Sequence, residues 1–431
     1  MASTQLHKTF SGAGNRKTFT LSFWVKRTKL STGMYVFNVG NQEANPQAGL
    51  EFQGNNTLTF WNNSGSGNKI MTTTQVFTDV NAWYHLVFSI DTTQSTASDR
   101  VKIYVNGEQI TSFSTATYPD QNYDYEWNGT QRHTIGAYYN NQSYFDGILS
   151  HIHFIDGTAY PASTFGETDA TTGEWKIKTN VTATYGTNGF FILKDGNSVT
   201  DQSGNSNNFT VAGGTLTNTE DNPSNVFATL NPLDLGDTTN IATLSNGNNY
   251  YSSTQGGYNM MVTTLGANSG KWYWEAKYIS HNMHGNSNNF GINPGFTGDR
   301  IPIGTTTSYL GKTANAYAFV DAGNVFNNDT TTTYDSSATT ANNLNDIVGI
   351  ALDLDNNKAY YHVNGTYWNS ANPSNGTGGL SINPASQTET GFYFPSISDK
   401  SSTRSYVYAF NFGNGYFATT AISSEGTNAS G

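Results

Sequence analysis

The stretch that decides the fold is Asn345–Gly365, NDIVGIALDLDNNKAYYHVNG. Apolar side chains occupy every second position from 348 to 354, and this period of two places them on one face of a β-strand. The polar run 355–358 has the composition of a tight turn, after which the alternation resumes and ends at Asn364-Gly365. Because Asn-Gly accepts positive φ at both central positions of a hairpin turn, the stretch predicts a β-hairpin followed by a third strand.

The same alternation occurs near the N-terminus, where Phe19, Leu21, Phe23 and Val25 form a predicted inward row. Further predicted strands cover 34–39, 49–52, 57–61, 83–91, 101–106, 147–155 and 270–277. On the strand 270–277 we expect Trp272 and Trp274 to share an inward row. Short strands separated by Gly- and Asn-rich turns predict an all-β protein, with two antiparallel β-sandwich, jelly-roll-like modules joined by a short β-containing connection.

The composition supports this fold class and excludes several functions. Glycine accounts for 44 of 431 residues and Asn, Thr and Ser are abundant, so we expect almost no helix. The net charge of −11 is dispersed and no basic run occurs, which argues against nucleic acid as a partner. The N-terminus has no apolar signal-peptide region and no apolar run approaches membrane length, so neither a secretion signal nor membrane insertion is predicted.

Two families resemble parts of the chain. FTLSFWVKR, WYHLVFSID, VKIYVNGE and FDGILSHIHFIDGTAYP, in this order, resemble the concanavalin A-like, laminin G-like jelly rolls over residues 1–178. GKWYWEAK and the opening hairpin resemble a SPRY domain over 238–420, with Trp274-Glu275 and Leu352-Asp353 as its marks. Residues 179–237 are then a connecting β segment, with an exposed linker at 218–225, and 421–431 form a C-terminal tail.

This domain order resembles virion proteins of marine tailed bacteriophages, such as tail fibres or capsid-attached appendages. The resemblance implies a non-enzymatic virion surface protein that binds a host cell-surface glycan and contacts other virion proteins. It would be made in the host cytoplasm and carried on the virion. The resemblance is compatible with a homo-oligomer as well as with a monomer. One alternative is a structural capsid-decoration or tail-scaffold protein, and another is a surface glycan hydrolase.

Aromatic residues in polar stretches are the candidate ligand-binding groups, because such rings stack on the apolar faces of sugars while amides bond the hydroxyls. In the first module they are Tyr123, Tyr125, Trp127, Tyr138, Tyr139, Asn141 and Tyr144. In the SPRY-like module the candidates are Tyr334, Tyr367 and Trp368. The alternative is that these rings only pack against the ends of the sandwiches.

The sequence predicts no catalytic centre, cofactor or metal site. Glu167, Asp169 and Glu174 resemble the Glu-x-Asp-x-x-Glu strand of laminarinase-like glycosidases, but Thr occupies position 172 and the segment is a Gly- and Thr-rich loop. His151 and His153 would share one face of a strand, yet no third ligand is in view, so a half-buried strand is favoured over a metal chelate.

Overall fold

A computed structural model describes residues 3–40, 46–64, 67–194, 196–235, 242–253, 259–281, 292–300, 309–320, 323–338, 343–399 and 405–423, without the side chains of 281, 292 and 293. The chain divides into two compact units, Met1–Val226 and Phe227–Gly431. Most of the predicted C-terminal tail, residues 424–431, lies outside the described residues.

The described part of the first unit has sixteen strands. In chain order they are β1 (Gln5–Lys8), β2 (Thr18–Arg27), β3 (Met34–Val39), β4 (Gln47–Phe52), β5 (Thr57–Asn63), β6 (Asn68–Val76), β7 (Trp83–Asp91), β8 (Val101–Val105), β9 (Glu108–Gln109), β10 (Phe113–Thr117), β11 (His133–Ile135), β12 (Gly147–Asp156), β13 (Gly166–Thr168), β14 (Trp175–Ile177), β15 (Phe190–Ile192) and β16 (Thr210–Gly213). Short 3-10 helices cover Ala97–Asp99 and Ala162–Thr164.

These strands form two antiparallel sheets and a hairpin. The larger sheet has the order β10-β6-β5-β4-β3-β11-β1-β16, the smaller sheet has the order β15-β12-β2-β7-β8-β9, and β13 pairs with β14. Alternate residues of both sheets face a shared core. Phe19, Leu21, Phe23 and Val25 are each at most 1% exposed, so the predicted inward row of β2 is confirmed. Leu50 enters the same core from the larger sheet.

The predicted connection 179–237 belongs in large part to the first sandwich. β15 pairs with β12, and β16 pairs with β1 at the far edge of the larger sheet. The exposed linker expected at 218–225 is corrected at Asp221, which is 1% exposed because its carboxylate pairs with the buried Lys26 ammonium at 2.7 Å. Residues 224–226, immediately before the division between the units, are exposed.

The described part of the second unit has seventeen strands. They are β17 (Leu230–Leu235), β18 (Thr243–Ser245), β19 (Tyr250–Ser252), β20 (Asn259–Thr263), β21 (Lys271–His281), β22 (Ile292–Thr297), β23 (Ala316–Val320), β24 (Asn324–Asn327), β25 (Thr330–Thr333), β26 (Ile347–Asp353), β27 (Lys358–Val363), β28 (Thr366–Tyr367), β29 (Leu380–Ser381), β30 (Phe394–Asp399), β31 (Tyr406–Asn411), β32 (Tyr416–Phe417) and β33 (Thr420–Ala421). Short 3-10 helices cover Trp368–Ser370 and Ala385–Gln387.

Two antiparallel sheets make up this sandwich. One has the order β17-β20-β30-β22-β23-β24-β25 and the other the order β18-β19-β31-β21-β26-β27-β28, with β29 paired to β27. The predicted hairpin is β26 and β27, and its continuation into β28 is confirmed, with φ of 50° at Asn364 and 83° at Gly365. Trp274 is 3% exposed and lies in the core as predicted. Trp272 is instead 55% exposed. The alternation along a strand predicts the face on which a side chain lies, but it does not predict whether the opposing sheet extends far enough to cover that side chain.

Candidate functional site

An open groove of about 490 Å³ lies on the outer face of the larger sheet of the first unit. This face carries the residues that alternate with the core rows of β4, β5 and β6. The groove is lined by Glu51, Gln53, Asn55, Thr57, Thr59, Trp61, Asn63, Asn68, Ile70, Thr72 and Thr115. Its volume is within the range of about 300 to 1,000 Å³ that is usual for ligand pockets. Hydroxyl and amide groups dominate its lining, with one tryptophan.

Trp61 is the main apolar surface of the groove. It stands opposite Gly49 on the neighbouring strand β4, and a Cβ atom at position 49 would lie only 2.7 Å from its indole ring. The missing side chain at Gly49 therefore lets the indole approach the sheet closely instead of standing upright. The ring is half-buried, with part of its surface open to solvent.

A carboxylate and a tyrosine adjoin this tryptophan. Glu51 pairs with Tyr35 across β4 and β3, and the donor groups of Tyr35, Gln53 and Trp61 lie beside its carboxylate. Burial raises the pKa of Glu51, while the three donors oppose this rise. The Tyr35 ring meets Trp61 edge-on, with 6.5 Å between the ring centroids. The carboxylate thus offers acceptor oxygens beside both aromatic residues.

The predicted loop tyrosines extend this aromatic group. Tyr138 stacks on Tyr35 with the ring centroids 4.4 Å apart, and its hydroxyl donates to Gln47 Oε1 at 2.9 Å. Tyr139 packs edge-on against Tyr138, also at 4.4 Å. Asn141 lies farther along the same loop and accepts a hydrogen bond from Gln5. Tyr144, at the end of the loop, is half-buried.

Tyr125 and Trp127 do not belong to this surface, so their prediction as ligand contacts is corrected. They are 1% and 2% exposed and lie in the main core, where both rings pack against Phe60. Their neighbour Tyr123 is half-buried, and its hydroxyl accepts a hydrogen bond from Asn62 Nδ2 at 2.9 Å. The polar residues around these rings connect strands, while the rings themselves fill the sandwich.

The three candidates of the second unit do not form one site. Trp368 is 2% exposed and stacks on Phe319 at 4.3 Å, so it is a core residue and its prediction as a ligand contact is corrected. The Tyr334 hydroxyl donates to the carbonyl oxygen of Gly378. Tyr367 packs edge-on against His362 at 4.9 Å, on the outer face of β27 and β28. Only Tyr334 and Tyr367 keep partly accessible rings.

The carboxylates that resemble a glycosidase motif lie on the hairpin of β13 and β14. Lys176 Nζ is 3.1 Å from Asp169 Oδ2 and 3.6 Å from Glu167 Oε1. Backbone N–H groups of residues 171–172 donate to Asp169 and, together with Lys176, lower the pKa of this carboxyl to about 2. Glu174 is exposed in the same turn. This arrangement stabilises a turn and does not place a pair of carboxylates in the groove.

A buried Ser–His pair, Ser22 and His85, was not identified from the sequence. Ser22 Oγ lies 2.9 Å from His85 Nε2, and Trp175 Nε1–H donates to His85 Nδ1 at 3.0 Å. Since Nδ1 accepts, Nε2 carries the proton of the neutral imidazole and donates to Ser22. Burial lowers the pKa of His85 to about 3. His85 therefore does not act as a base that activates the serine.

The structure also bears on metal binding and membrane insertion. Strand β12 has an irregularity between Ser150 and His153, and His151 has a φ of 48°, so the two histidines do not follow a regular alternation. Within the described ranges, no three His, Cys, Asp or Glu residues are grouped closely enough to hold a metal ion. None of the described helices is long and apolar enough to span a membrane.

Sequence reasoning identified β5 as a strand but missed the outward row that carries the groove. That row is Thr57, Thr59, Trp61 and Asn63, and it alternates with the buried Leu58 and Phe60. A tryptophan among threonine and asparagine on the outward row was the available signal. Tyr35 and Glu51 join Trp61 only through the pairing of β3, β4 and β5.

Comparison with known proteins identifies the fold of the first unit. The sequence model of the concanavalin A-like lectin/glucanases superfamily matches residues 3–163, which confirms the predicted resemblance there and a lectin-like fold of the carbohydrate-binding type. A comparison with the curated proteins finds no match.

Similar solved structures include the SPRY domain of human HERC1, with 15% identity, a TM-score of 0.30, and coverage of 43% of this chain and 98% of that chain. Domain 4 of AbnA, an extracellular arabinanase from Geobacillus stearothermophilus in complex with arabinotriose, has 23% identity and a TM-score of 0.27, over 34% of this chain and 65% of that chain. The heptameric SAP-like pentraxin of Limulus polyphemus has 14% identity and a TM-score of 0.29, over 44% of this chain and 89% of that chain. A SPRY domain is among these structural neighbours.

Proposed function

We propose that the groove on the larger sheet of the first unit binds an uncharged glycan without cleaving it. The observation that carries the proposal is Trp61, whose indole lies close over Gly49 on a solvent-facing sheet. A ring held in this way offers an apolar platform on which a sugar ring stacks, at little cost in side-chain entropy. The surrounding threonine, asparagine and glutamine side chains supply donors and acceptors for its hydroxyl groups.

The lining favours a neutral ligand. Glu51 is the one ionisable side chain among the described lining residues, so an acidic glycan would meet a negative charge and no positive one. Hydrolysis by the usual glycosidase mechanisms needs two carboxyl groups about 5 to 9.5 Å apart across the scissile bond. A lining with a single carboxylate, Glu51, supports binding over cleavage.

A binding assay with matched tryptophan variants tests this proposal. On an array of uncharged glycans, Trp61→Ala should weaken binding by about 5- to 30-fold, the equivalent of about 1 to 2 kcal/mol for a well-packed aromatic contact. The control is Trp272→Ala, which removes a tryptophan that is 55% exposed in the second unit and should leave binding unchanged. If both variants bind as the wild type does, the groove is not the site.

The same preparation tests hydrolysis. Wild-type protein and Glu51→Gln are incubated with any oligosaccharide that binds, and chain length is followed by mass spectrometry. We expect no shortening with either protein. Shortening by the wild type that is lost in Glu51→Gln would overturn the non-enzymatic proposal.

We further propose that this binding serves a tailed-phage virion, as part of a tail fibre or capsid appendage that attaches to a host surface glycan. The support is the resemblance in domain order, from the jelly roll through the connecting segment to the SPRY-like unit. Antibody labelling of phage particles in the electron microscope tests the location, and adsorption of the isolated protein to host cells tests attachment. Co-assembly with capsid or tail without glycan binding would favour the structural alternative.

A further inference from the structure

The outer face of the larger sheet continues beyond the groove. His7 on β1 stands opposite Thr134 on β11, and Thr134 stands opposite Asn38 on β3. Asn38 in turn pairs with Gly49, the residue over which the Trp61 indole lies. Because directly opposed side chains on one face are about 5 Å apart, these residues form a continuous row that starts at the tryptophan.

The far part of this row contains buried polar side-chain atoms that have no hydrogen-bond partner among the described residues. Five side-chain atoms there find no hydrogen-bond partner among the described residues, and they belong to Gln5, His7, Asn38, Arg132 and Thr134, here called the buried row. Gln5, Asn38 and Thr134 are 4%, 1% and 0% exposed. Buried polar atoms in native proteins almost always have a partner, so several unpaired atoms on one face indicate a place built for a polar ligand or ordered water.

A loop holds the two sides of the buried row together. Gln5 Nε2 donates to Asn141 Oδ1 at 2.8 Å on one side, and Arg132 Nη2 donates to the carbonyl oxygen of Tyr139 at 2.7 Å on the other. His7 and Thr134 lie between these two attachments in the strand register. Loop 138–144 is thus fastened across the buried row by two polar side chains that belong to the row itself.

The unpaired atoms decide the class of ligand. Asn38 Nδ2 donates to the carbonyl oxygen of Ala48, so Asn38 Oδ1 is fixed as an acceptor, whereas Arg132 Nε is a donor. Burial and Arg132 lower the pKa of His7, which favours its neutral ring. An anion would accept from Arg132 Nε but would be repelled by Asn38 Oδ1. A cation would be attracted to Asn38 Oδ1 but would be repelled by Arg132. A hydroxyl group satisfies both.

We infer that the buried row is a second, hydroxyl-binding subsite beneath loop 138–144, which receives the next part of a glycan stacked on Trp61 when the loop lifts. This inference rests on the proposed function of the groove. It extends the site from an open platform to a covered subsite that selects for sugars by their hydroxyl groups.

Thr134→Val tests the inference, because valine keeps the shape of threonine and removes only the unpaired hydroxyl. Affinity is measured by isothermal titration calorimetry with hexasaccharides of glucose, mannose and galactose. Thr134→Val should weaken binding by about 2- to 10-fold, the effect of one lost hydrogen bond, while the melting temperature does not fall. The control is Thr229→Val in the second unit, whose hydroxyl is also buried and without a partner among the described residues, and which should leave affinity unchanged.

The possible failures are distinguishable. If Thr134→Val binds as tightly as the wild type while Trp61→Ala binds weakly, the groove is confirmed as the site and the buried row is not a subsite. If the wild type binds none of these sugars, the proposed function and this inference both fail.

Discussion

The buried ion pair between Lys26 and Asp221 gives the sharpest stability prediction. Lys26 Nζ lies 2.7 Å from Asp221 Oδ2, and the two side chains are 0% and 1% exposed. The other carboxylate oxygen accepts a hydrogen bond from Trp83 Nε1 at 3.0 Å. The perturbation is Asp221→Ala, which removes the counter-charge of an ammonium group that water does not reach.

The expected loss is large because the lysine is left behind. Its next acceptor is Asn81 Oδ1 at 3.4 Å, and Trp83 loses its acceptor as well. Removing one partner of a buried ion pair costs about 3 to 5 kcal/mol. For a unit of this size each kcal/mol corresponds to roughly 2 to 4 °C, so the melting temperature of the first unit should fall by roughly 6 to 20 °C.

Thermal and urea unfolding of the full chain measure this effect. The matched control is Lys69→Met, which breaks a pair of similar length, 3.0 Å, whose Asp120 side chain is 79% exposed. It should barely change the midpoint, since solvent already screens that pair. The double variant Lys26→Met with Asp221→Leu should recover much of the stability, because it removes both charges. An unchanged midpoint in Asp221→Ala would show that residue 221 is not docked in the first unit.

Three further predictions concern other parts of the chain. Gly49→Ala places a methyl group about 2.7 Å from the Trp61 indole, so it should weaken glycan binding in the same titration while the fold persists. Limited proteolysis should cut at the exposed residues 224–226 and leave Asp221 with the N-terminal fragment, as shown by mass spectrometry, and a first cut before residue 221 would contradict the docking of that segment. Burial lowers the pKa of His133 from 6.5 to about 4, so the folded state binds this proton more weakly than the unfolded chain does. Its contribution to stability is therefore complete above about pH 6.5 and is lost as the pH falls toward 4, by on the order of 1.4 kcal/mol per pH unit. Between about pH 7 and pH 4 the urea midpoint of the wild type should fall by this contribution, whereas that of His133→Phe should not. The two midpoints should therefore converge as the pH falls.

Much of the fold is predictable from the sequence because a strand with one face in the core of a sandwich and the other face outside it alternates apolar and polar residues. The predicted bounds of 34–39 and 83–91 match β3 and β7, and the hairpin at 347–363 has the predicted turn. The connecting segment was harder to place. Whether β15 and β16 join the first sandwich depends on pairing with strands far away in the chain, and no local pattern encodes that pairing.

The candidate site was only partly predictable, and for a related reason. Tyr138, Tyr139 and Asn141 border the groove and the buried row, but Tyr125 and Trp127 in an equally polar stretch turn inward. Neither stretch has a regular period, so the sequence does not indicate which rings face solvent. Trp61 lies on a regular strand, where the row opposite to Leu58 and Phe60 identifies its face at once.

The unusual composition and the proposed site have one physical explanation. Only 12% of residues are charged, about half of the usual share, and the groove-bearing face of the first unit presents mainly threonine, asparagine and glutamine. Such faces offer hydroxyl and amide groups at fixed spacing on rigid strands, which suits a ligand without charge. The loops contribute Tyr138 and its neighbours at the border of that face. The proposed glycan recognition therefore depends on the register of β3, β4 and β5 more than on loop sequence, and a change that shifts this register should abolish binding even where every loop residue is kept.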